Sequence, residues 1–280
     1  MESILIKPII QKALSEDLGL GDITTLTTVS TDALGYAALY ARENLILAGV
    51  DVFKAVFYEI DDHLIISDNY KDGDTISQDS LVLTIEGKLI SILQAERTAL
   101  NFLQRMSGIA SRTKEYVTMV KRWNTKILDT RKTAPGLRIF DKYSVRVGGG
   151  YNHRIGLFDG VLIKDNHIIA AGGIFNAIKN AKNSIPHTLK VEIEVETVDQ
   201  LIEALEAGAD IIMLDNMGVK TMKKAVKFVA NRIPLEASGG INLDNVAEIA
   251  ATGVDFISVG DLTHSVKAAN FSLKIKSNKI

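Results

Sequence analysis

The fold class that the sequence predicts is α/β: a mixed α+β amino-terminal region, then a βα array that closes into a parallel barrel or lies as a doubly wound sheet, the barrel being preferred. Two observations carry this. From Lys126 onward short β-branched runs alternate with segments of helical periodicity, whereas before it strands and helices mix without a regular repeat. In addition, each strand candidate of the array ends in polar or glycine residues. Barrel strands behave this way because they deliver side chains to the one face on which active sites are built.

Apolar residues recur at helical spacing from Ile4 to Leu18, and Gly19 with Gly21 ends the pattern. Asp22-Ile23-Thr24-Thr25 reads as a loop or cap. Residues 35–41 and 81–85 read as strands, with a helix at 50–58 and a turn at Asp72-Gly73-Asp74. A long helix follows from about 89 to 123, with a bend expected near Gly108. Its stripe of Leu89, Ile92, Leu93, Leu100 and Leu103 is interrupted by Glu96 and Arg97 on the same side. An arginine there needs a partner, either an ion pair within or between helices or a pocket across an interface.

The array itself has strand candidates at 127–129, 161–164, 191–195, 211–214, 235–237 and 256–259, with helices at 198–207, 219–230 and 243–250 among them. Right-handed crossovers cover both faces of such a sheet. The domain change is expected within 105–111, giving domains 1–108 and 109–266. The tail, 267–280, has too little apolar content for an element of its own and is expected to pack back onto the first domain.

The composition is that of a soluble globular chain, 46% hydrophobic and 24% charged over 280 residues. Lys+Arg 32 against Asp+Glu 34 gives a net charge of −2, which argues against a nucleic-acid coat or a membrane-surface binder. The absence of cysteine rules out disulfides, zinc–thiolate sites, iron–sulfur clusters and thiol nucleophiles. Lys7 and Pro8 interrupt Ile4-Leu5-Ile6 before it could serve as a signal-peptide core, and no apolar run is long enough to span a membrane, so the expected location is the cytoplasm.

The polar strand ends divide into three groups. Arg131 and Lys132, in the run Asp129-Thr130-Arg131-Lys132-Thr133-Ala134-Pro135-Gly136, join Lys164 and the pair His153-Arg154 that follows Gly148-Gly149-Gly150. Such cations suit a substrate with more than one negative charge, since guanidinium grips carboxylate through two parallel hydrogen bonds. Ser238-Gly239-Gly240 and Gly260 form the second group, glycine turns after late strands whose N–H groups can hold a phosphate, with His264 facing it from the following loop. Glu194 and Asp215 form the third. They could hold Mg²⁺, stabilise positive charge developing on a sugar, or only neutralise neighbouring lysines. His63 and His187 read as surface residues. No nucleophile with an attendant base can be named, which disfavours covalent catalysis.

These residues resemble one family closely, the quinolinate phosphoribosyltransferases. The likeness runs through Glu16-Asp17 with Gly21-Asp22-Ile23-Thr24, Ala95-Glu96-Arg97-Thr98-Ala99-Leu100-Asn101, Asp129 with the seven residues after it, the stretch 148–154, Lys164-Asp165-Asn166-His167, Leu214-Asp215-Asn216, Ser238-Gly239-Gly240 and Thr263-His264-Ser265. The order is that of the family and nearly the whole chain is covered. The resemblance implies an open, incomplete βα barrel beside an α/β domain that the tail rejoins. It implies a homodimer, or a higher oligomer built from it, in which Arg97 enters the partner's active site. The implied reaction joins quinolinate to 5-phosphoribosyl-1-pyrophosphate with Mg²⁺, giving nicotinate mononucleotide, carbon dioxide and pyrophosphate. On this resemblance Arg131, His153, Arg154 and Lys164, with Arg97, hold the two substrate carboxylates. Thr130 belongs to the substrate site as well. Lys132, Glu194 and Asp215 face the ribosyl pyrophosphate and its metal, with Lys132, Lys164, Glu194 and Asp215 the catalytic set. Ser238, Gly239, Gly240, Gly260 and His264 hold the 5-phosphate.

Molybdenum-transport-associated relatives share the fold, and they are expected to lack the full Lys-Asp-Asn-His segment that is intact here. Lys88-Leu89 stand before the long helix where the family commonly has an arginine. Two rival readings are a phosphoribosyltransferase for a different aza-aromatic acid and a non-catalytic anion sensor. Glu194 and Asp215 opposite the cations argue against the sensor.

Overall fold

The helical periodicity near the amino terminus becomes α1 (Ser3–Leu18) in the computed structural model of the chain, which describes residues 3–276. Asp22 caps α2 (Ile23–Thr28), its carboxylate accepting the Thr25 N–H at 2.9 Å. The order continues β1 (Leu34–Ala41), β2 (Leu45–Ile46), α3 (Val50–Ile60), β3 (Ile65–Asp68), β4 (Thr75–Ile76), β5 (Leu81–Lys88) and α4 (Leu89–Met119). After these come β6 (Lys126–Leu128), α5 (Arg138–Val147), β7 (Val161–Ile163), α6 (Asp165–Ala171), α7 (Ile174–Ser184), β8 (Val191–Val195) and α8 (Val198–Glu206). The chain then runs through β9 (Ile211–Asp215), α9 (Val219–Val229), β10 (Leu235–Ser238), α10 (Val246–Ala250), β11 (Phe256–Ser258), α11 (Asp261–His264) and β12 (Phe271–Lys276).

Two units emerge. The first takes the chain up to Arg112, residues Ala134–Gly148 and the chain from Val266, and the second takes Thr113–Thr133 with Gly149–Ser265. In the first, an antiparallel sheet of order β12-β1-β5-β3 buries Ala37, Leu39 and Ala41 of β1 and Leu83 and Ile85 of β5. They share one core with Phe53 and Phe57 of α3 and Ile92, Leu103 and Met106 of α4. The tail does form an element. β12 adds to the edge of β1, from Ala41 opposite Phe271 to Tyr36 opposite Lys276, and buries only Phe271. Backbone pairing supplied what apolar content did not, because an edge strand needs few buried side chains. Residues 277–280 of the expected tail lie outside the described residues.

The long helix corrects the placing of Arg97 and gives Gly108 a packing role. Gly108 sits inside an uninterrupted α-helix, where a Cβ would overlap the Lys267 carbonyl oxygen, so the glycine permits close packing of the returning tail. Arg97 is exposed rather than set in the buried face formed by Ile92, Ala95, Ala99 and Leu103. Beside it, burial pushes the Glu96 carboxyl upward while the Arg97 cation pulls it down.

The division of the chain also differs from a single cut at 108. Residues 134–148 belong with the first unit, for reasons that lie in polar and aromatic contacts of α5. Asp141 is fully buried and takes the Arg105 Nε and Nη2 donors at 2.8 Å each, while accepting the Ala134 N–H at 3.2 Å. Tyr143 donates its hydroxyl to Asp72 at 2.7 Å, and Asp72 in turn accepts the N–H groups of Gly49 and Val50 at the start of α3. The rings of Phe102 and Phe140 lie 5.1 Å apart.

The second unit is a six-stranded, wholly parallel sheet of order β6-β11-β10-β9-β8-β7, with helices in the crossovers. Among the described residues no ladder joins β6 to β7, so the barrel is open. Period-2 alternation sets the two faces. Ile163, Ile193, Val195, Ile212, Leu214, Leu235, Ala237 and Ile257 are buried on one. The register places Lys164, Glu192, Glu194, Met213, Asp215, Glu236, Ser238 and Ser258 on the other.

Replacing Asp141 with alanine removes the carboxylate that accepts from Arg105 Nε and Nη2 and from the Ala134 N–H. We expect a loss of roughly 3–5 kcal/mol in urea denaturation of the purified chain. A loss below about 1 kcal/mol would show that this pair does not anchor α5.

Candidate active site

The second unit gathers the strand ends on one rim. Asp129, just past β6, is fully buried and accepts the Asn152 side-chain amide at 2.5 Å and the His153 N–H at 2.9 Å. This holds the turn that carries His153 and Arg154. Arg154 donates from Nη1 to the Gly160 carbonyl at 3.1 Å, but its Nε is buried with no hydrogen-bond partner. Burial, and next the nearby Arg131 cation, push the Arg154 guanidinium below its ordinary pKa, while Glu192 works in the opposite direction. Two cations brought together with a buried donor unmet mark a place for an anion.

Lys164 ends β7 at the start of α6. Its N–H donates to Nδ1 of His167 at 2.9 Å, and its ammonium pairs with the Glu194 carboxylate from β8. The lysine-neutralising role foreseen for Glu194 is therefore present. Asp215 on β9 takes no lysine among the described residues. It accepts from the Asn216 side-chain amide at 2.7 Å, and Asn216, at φ +50°, donates its N–H to the Ser238 carbonyl at 2.9 Å. Gly239 adopts φ +94°, and a Cβ there would overlap the Asn216 side chain, so this turn requires glycine; Gly240 follows at φ +61°.

The first and sixth strand ends meet. The position a Cβ would take on Gly260 lies 2.9 Å from the His264 ring and 3.3 Å from Cδ of Lys132. Thr263 donates its hydroxyl to the Lys132 carbonyl at 2.8 Å, and Thr130 accepts the Lys132 N–H at 3.0 Å. Arg131 and Lys132 are both exposed. The structure thus brings Thr130, Arg131, Lys132, His153, Arg154, Lys164, Glu194, Asp215, Ser238, Gly239, Gly240, Gly260 and His264 into one unit, at the strand ends and the loops that follow them. Arg97 lies in the other unit. His63 and His187 are exposed.

Two residues escaped the sequence reading. Glu192 and Glu236 lie one step below Glu194 and Ser238 on the same sheet face, at 6% and 2% exposure. His153 turns its ring toward them, with Nε2 3.1 Å from Glu192 and 3.8 Å from Glu236. The Arg154 N–H donates to Nδ1 at 2.7 Å, which assigns the ring proton to Nε2. The available signal was alternation, since Val191-Glu192-Ile193-Glu194-Val195 puts both glutamates on one face of a buried strand.

Comparison with known proteins decides the family. The family descriptions "Quinolinate phosphoribosyl transferase, N-terminal domain" and "Quinolinate phosphoribosyl transferase, C-terminal domain" match residues 22–107 and 109–274. The chain belongs to the quinolinate phosphoribosyltransferase family. Among its relatives, a Bacillus subtilis protein named a probable nicotinate-nucleotide pyrophosphorylase (carboxylating) is 41% identical over 98% of this chain and 95% of its own. A mitochondrial quinolinate phosphoribosyltransferase (decarboxylating) of Nicotiana glauca is 43% identical over 96% and 82%. The crystal structure of NadC from Streptococcus pyogenes superposes with a TM-score of 0.96 at 41% identity, covering 99% of this chain and 98% of that one. Among the described residues no helix is long and apolar enough to cross a membrane.

Burial first, and the Glu192 charge second, push the Glu236 carboxyl from its ordinary 4.5 up to about 8. For an acid raised in this way the folded chain holds a proton that the unfolded chain has released, so stability falls as pH rises between those two values. The wild-type melting temperature should therefore drop from pH 6 to pH 9 by more than that of a Glu236→Gln variant. Parallel curves for the two proteins would contradict the assignment.

Proposed function

We infer that the chain is a pentosyltransferase of NAD biosynthesis, converting quinolinate and 5-phosphoribosyl-1-pyrophosphate to nicotinate mononucleotide, carbon dioxide and pyrophosphate. The observation that carries the reading is the rim of Arg131, Arg154 and Lys164, with a buried guanidinium donor unmet, on the same face as Glu194 and Asp215. A dicarboxylate supplies the anions that such a group of cations needs.

Carboxylates at the sheet ends stabilise the oxocarbenium-like ribose left as pyrophosphate departs, and Lys132 with its neighbours stabilises the leaving group. The pyridine nitrogen attacks C1 of the ribose. The positive ring nitrogen then stabilises the electron pair left on the adjacent ring carbon as its carboxylate leaves as carbon dioxide, and that carbon takes a proton from water. No protein nucleophile is needed. Ser238, Gly239, Gly240, Gly260 and His264 hold the 5-phosphate, and Thr130 supports the loop of Arg131 and Lys132.

Glu194 and Asp215 are hard oxygen donors on neighbouring strands and fit Mg²⁺, which takes a few carboxylates and completes its shell with phosphate oxygens and water. The ion would supply positive charge at the pyrophosphate. The working enzyme is a homodimer in which Arg97 of each subunit completes the partner's substrate site. Its exposure on α4 supports this role.

Product analysis tests the reading: with both substrates and Mg²⁺ the chain should release carbon dioxide and pyrophosphate together. Turnover of nicotinate without carbon dioxide would favour another aza-aromatic acid. Arg131→Ala and Lys164→Ala should each lower kcat/KM by about ten- to a hundredfold or more with the fold retained. Near-normal rates in both would remove the site assignment. Mixed Arg97→Ala and Lys164→Ala subunits should recover activity that neither variant has alone. Demonstrated heterodimers that stay inactive would contradict the shared site.

A further inference from the structure

The rim of cations rests on a buried acidic layer that the reaction itself does not use. Glu192 of β8, opposite Ile211 of β9, and Glu236 of β10, opposite Met213 of β9, lie on the same sheet face, one alternation step before Glu194 and Ser238 on their own strands. Each has its Oε1 buried without a hydrogen bond, and the His153 Nε2 lies 3.1 Å from the other oxygen of Glu192. The ring's second nitrogen is taken by the Arg154 N–H at 2.7 Å, and the backbone N–H of His153 is held by Asp129. His153 is therefore fixed at its backbone and at both ring nitrogens, and the residue it fixes next in the chain is Arg154.

We propose that Glu192 and Glu236 are positioning residues for the dicarboxylate site, locking the His153 ring so that the turn presents the Arg154 guanidinium to the substrate. A bound cation fits these three residues less well. Their ligand atoms lie within 4.8 Å of one another, but Nε2 carries the ring proton and offers no lone pair. The negative layer also offsets the crowding of Arg131 and Arg154, since Glu192 favours the charged guanidinium. The inference rests on the reading of quinolinate as substrate. The effect should fall on the dicarboxylate and spare the phosphoribosyl pyrophosphate, because the locked residue belongs to the carboxylate-binding rim.

Steady-state kinetics of the full chain tests this. Wild-type release of carbon dioxide from quinolinate checks the parent reading, and the ratios among variants check this one. Glu192→Leu should raise the KM for quinolinate about tenfold or more while the KM for phosphoribosyl pyrophosphate stays within about twofold. Glu192→Gln, which can still accept from His153, and Glu236→Gln, which keeps the side-chain volume packed against the ring, should stay within about threefold on both. In a His153→Ala background, Glu192→Leu should add less than about twofold, because the route through the ring is already gone. If Glu192→Leu yields no folded protein by circular dichroism, Glu236→Met serves with the same expected pattern. An unchanged quinolinate KM, equal rises in both KM values, or full additivity with His153→Ala would each overturn the proposal.

Discussion

Cations that must meet a multiply charged anion have to be held near one another before the anion arrives, and they repel in the meantime. The catalytic unit is arranged around this constraint. Burial, and next the nearby Arg131 cation, depress the Arg154 guanidinium, and Lys164 is quenched by Glu194. Carboxylates from four places on the barrel, Asp129, Glu192, Glu194 and Glu236, stand beside or beneath them. Strand alternation makes this possible, because every second residue of a buried parallel strand faces the same way. One sheet face is a hydrocarbon core. The other is a stack of charges with the reactive layer at the C-terminal rim and a supporting layer one step below.

The supporting layer is costly. Two glutamates held together out of water favour a retained proton, which is why Glu236 is displaced so far upward. Such a cost is tolerated where geometry matters more than stability, and the group that gains is the His153-Arg154 turn. Polar anchoring recurs in the other unit, where Asp141 and Asp72 tie down α5 and the start of α3 by accepting several donors each. In both units a buried carboxylate organises a loop that apolar packing alone would leave loosely specified.

Much of this was legible in the residues. Six runs of β-branched residues were strands to within two residues, and their polar endings marked the rim, because periodicity and side-chain direction are local properties. What the chain hid depended on distant partners. Residues 138–147 form a helix bound to the first unit through Arg105 and Asp72, sequence-distant groups no local pattern reveals. The tail is a strand because β1 offers an edge. Gly108 reads as a possible bend until the Lys267 carbonyl is seen against it. Glu192 and Glu236 were passed over for a related reason, since a glutamate within a strand pattern ordinarily points to water, and it is the packing of the open barrel that buries these two.

The central claim is that the strand-end cations of the second unit form one dicarboxylate site backed by buried acids. A crystal structure of the chain with quinolinate tests it most directly. The account predicts both carboxylates within about 3 Å of donors from Arg131, Arg154 and Lys164, with the His153 ring still turned toward Glu192. A dicarboxylate bound away from this rim, or held there with those three side chains turned aside, would contradict it.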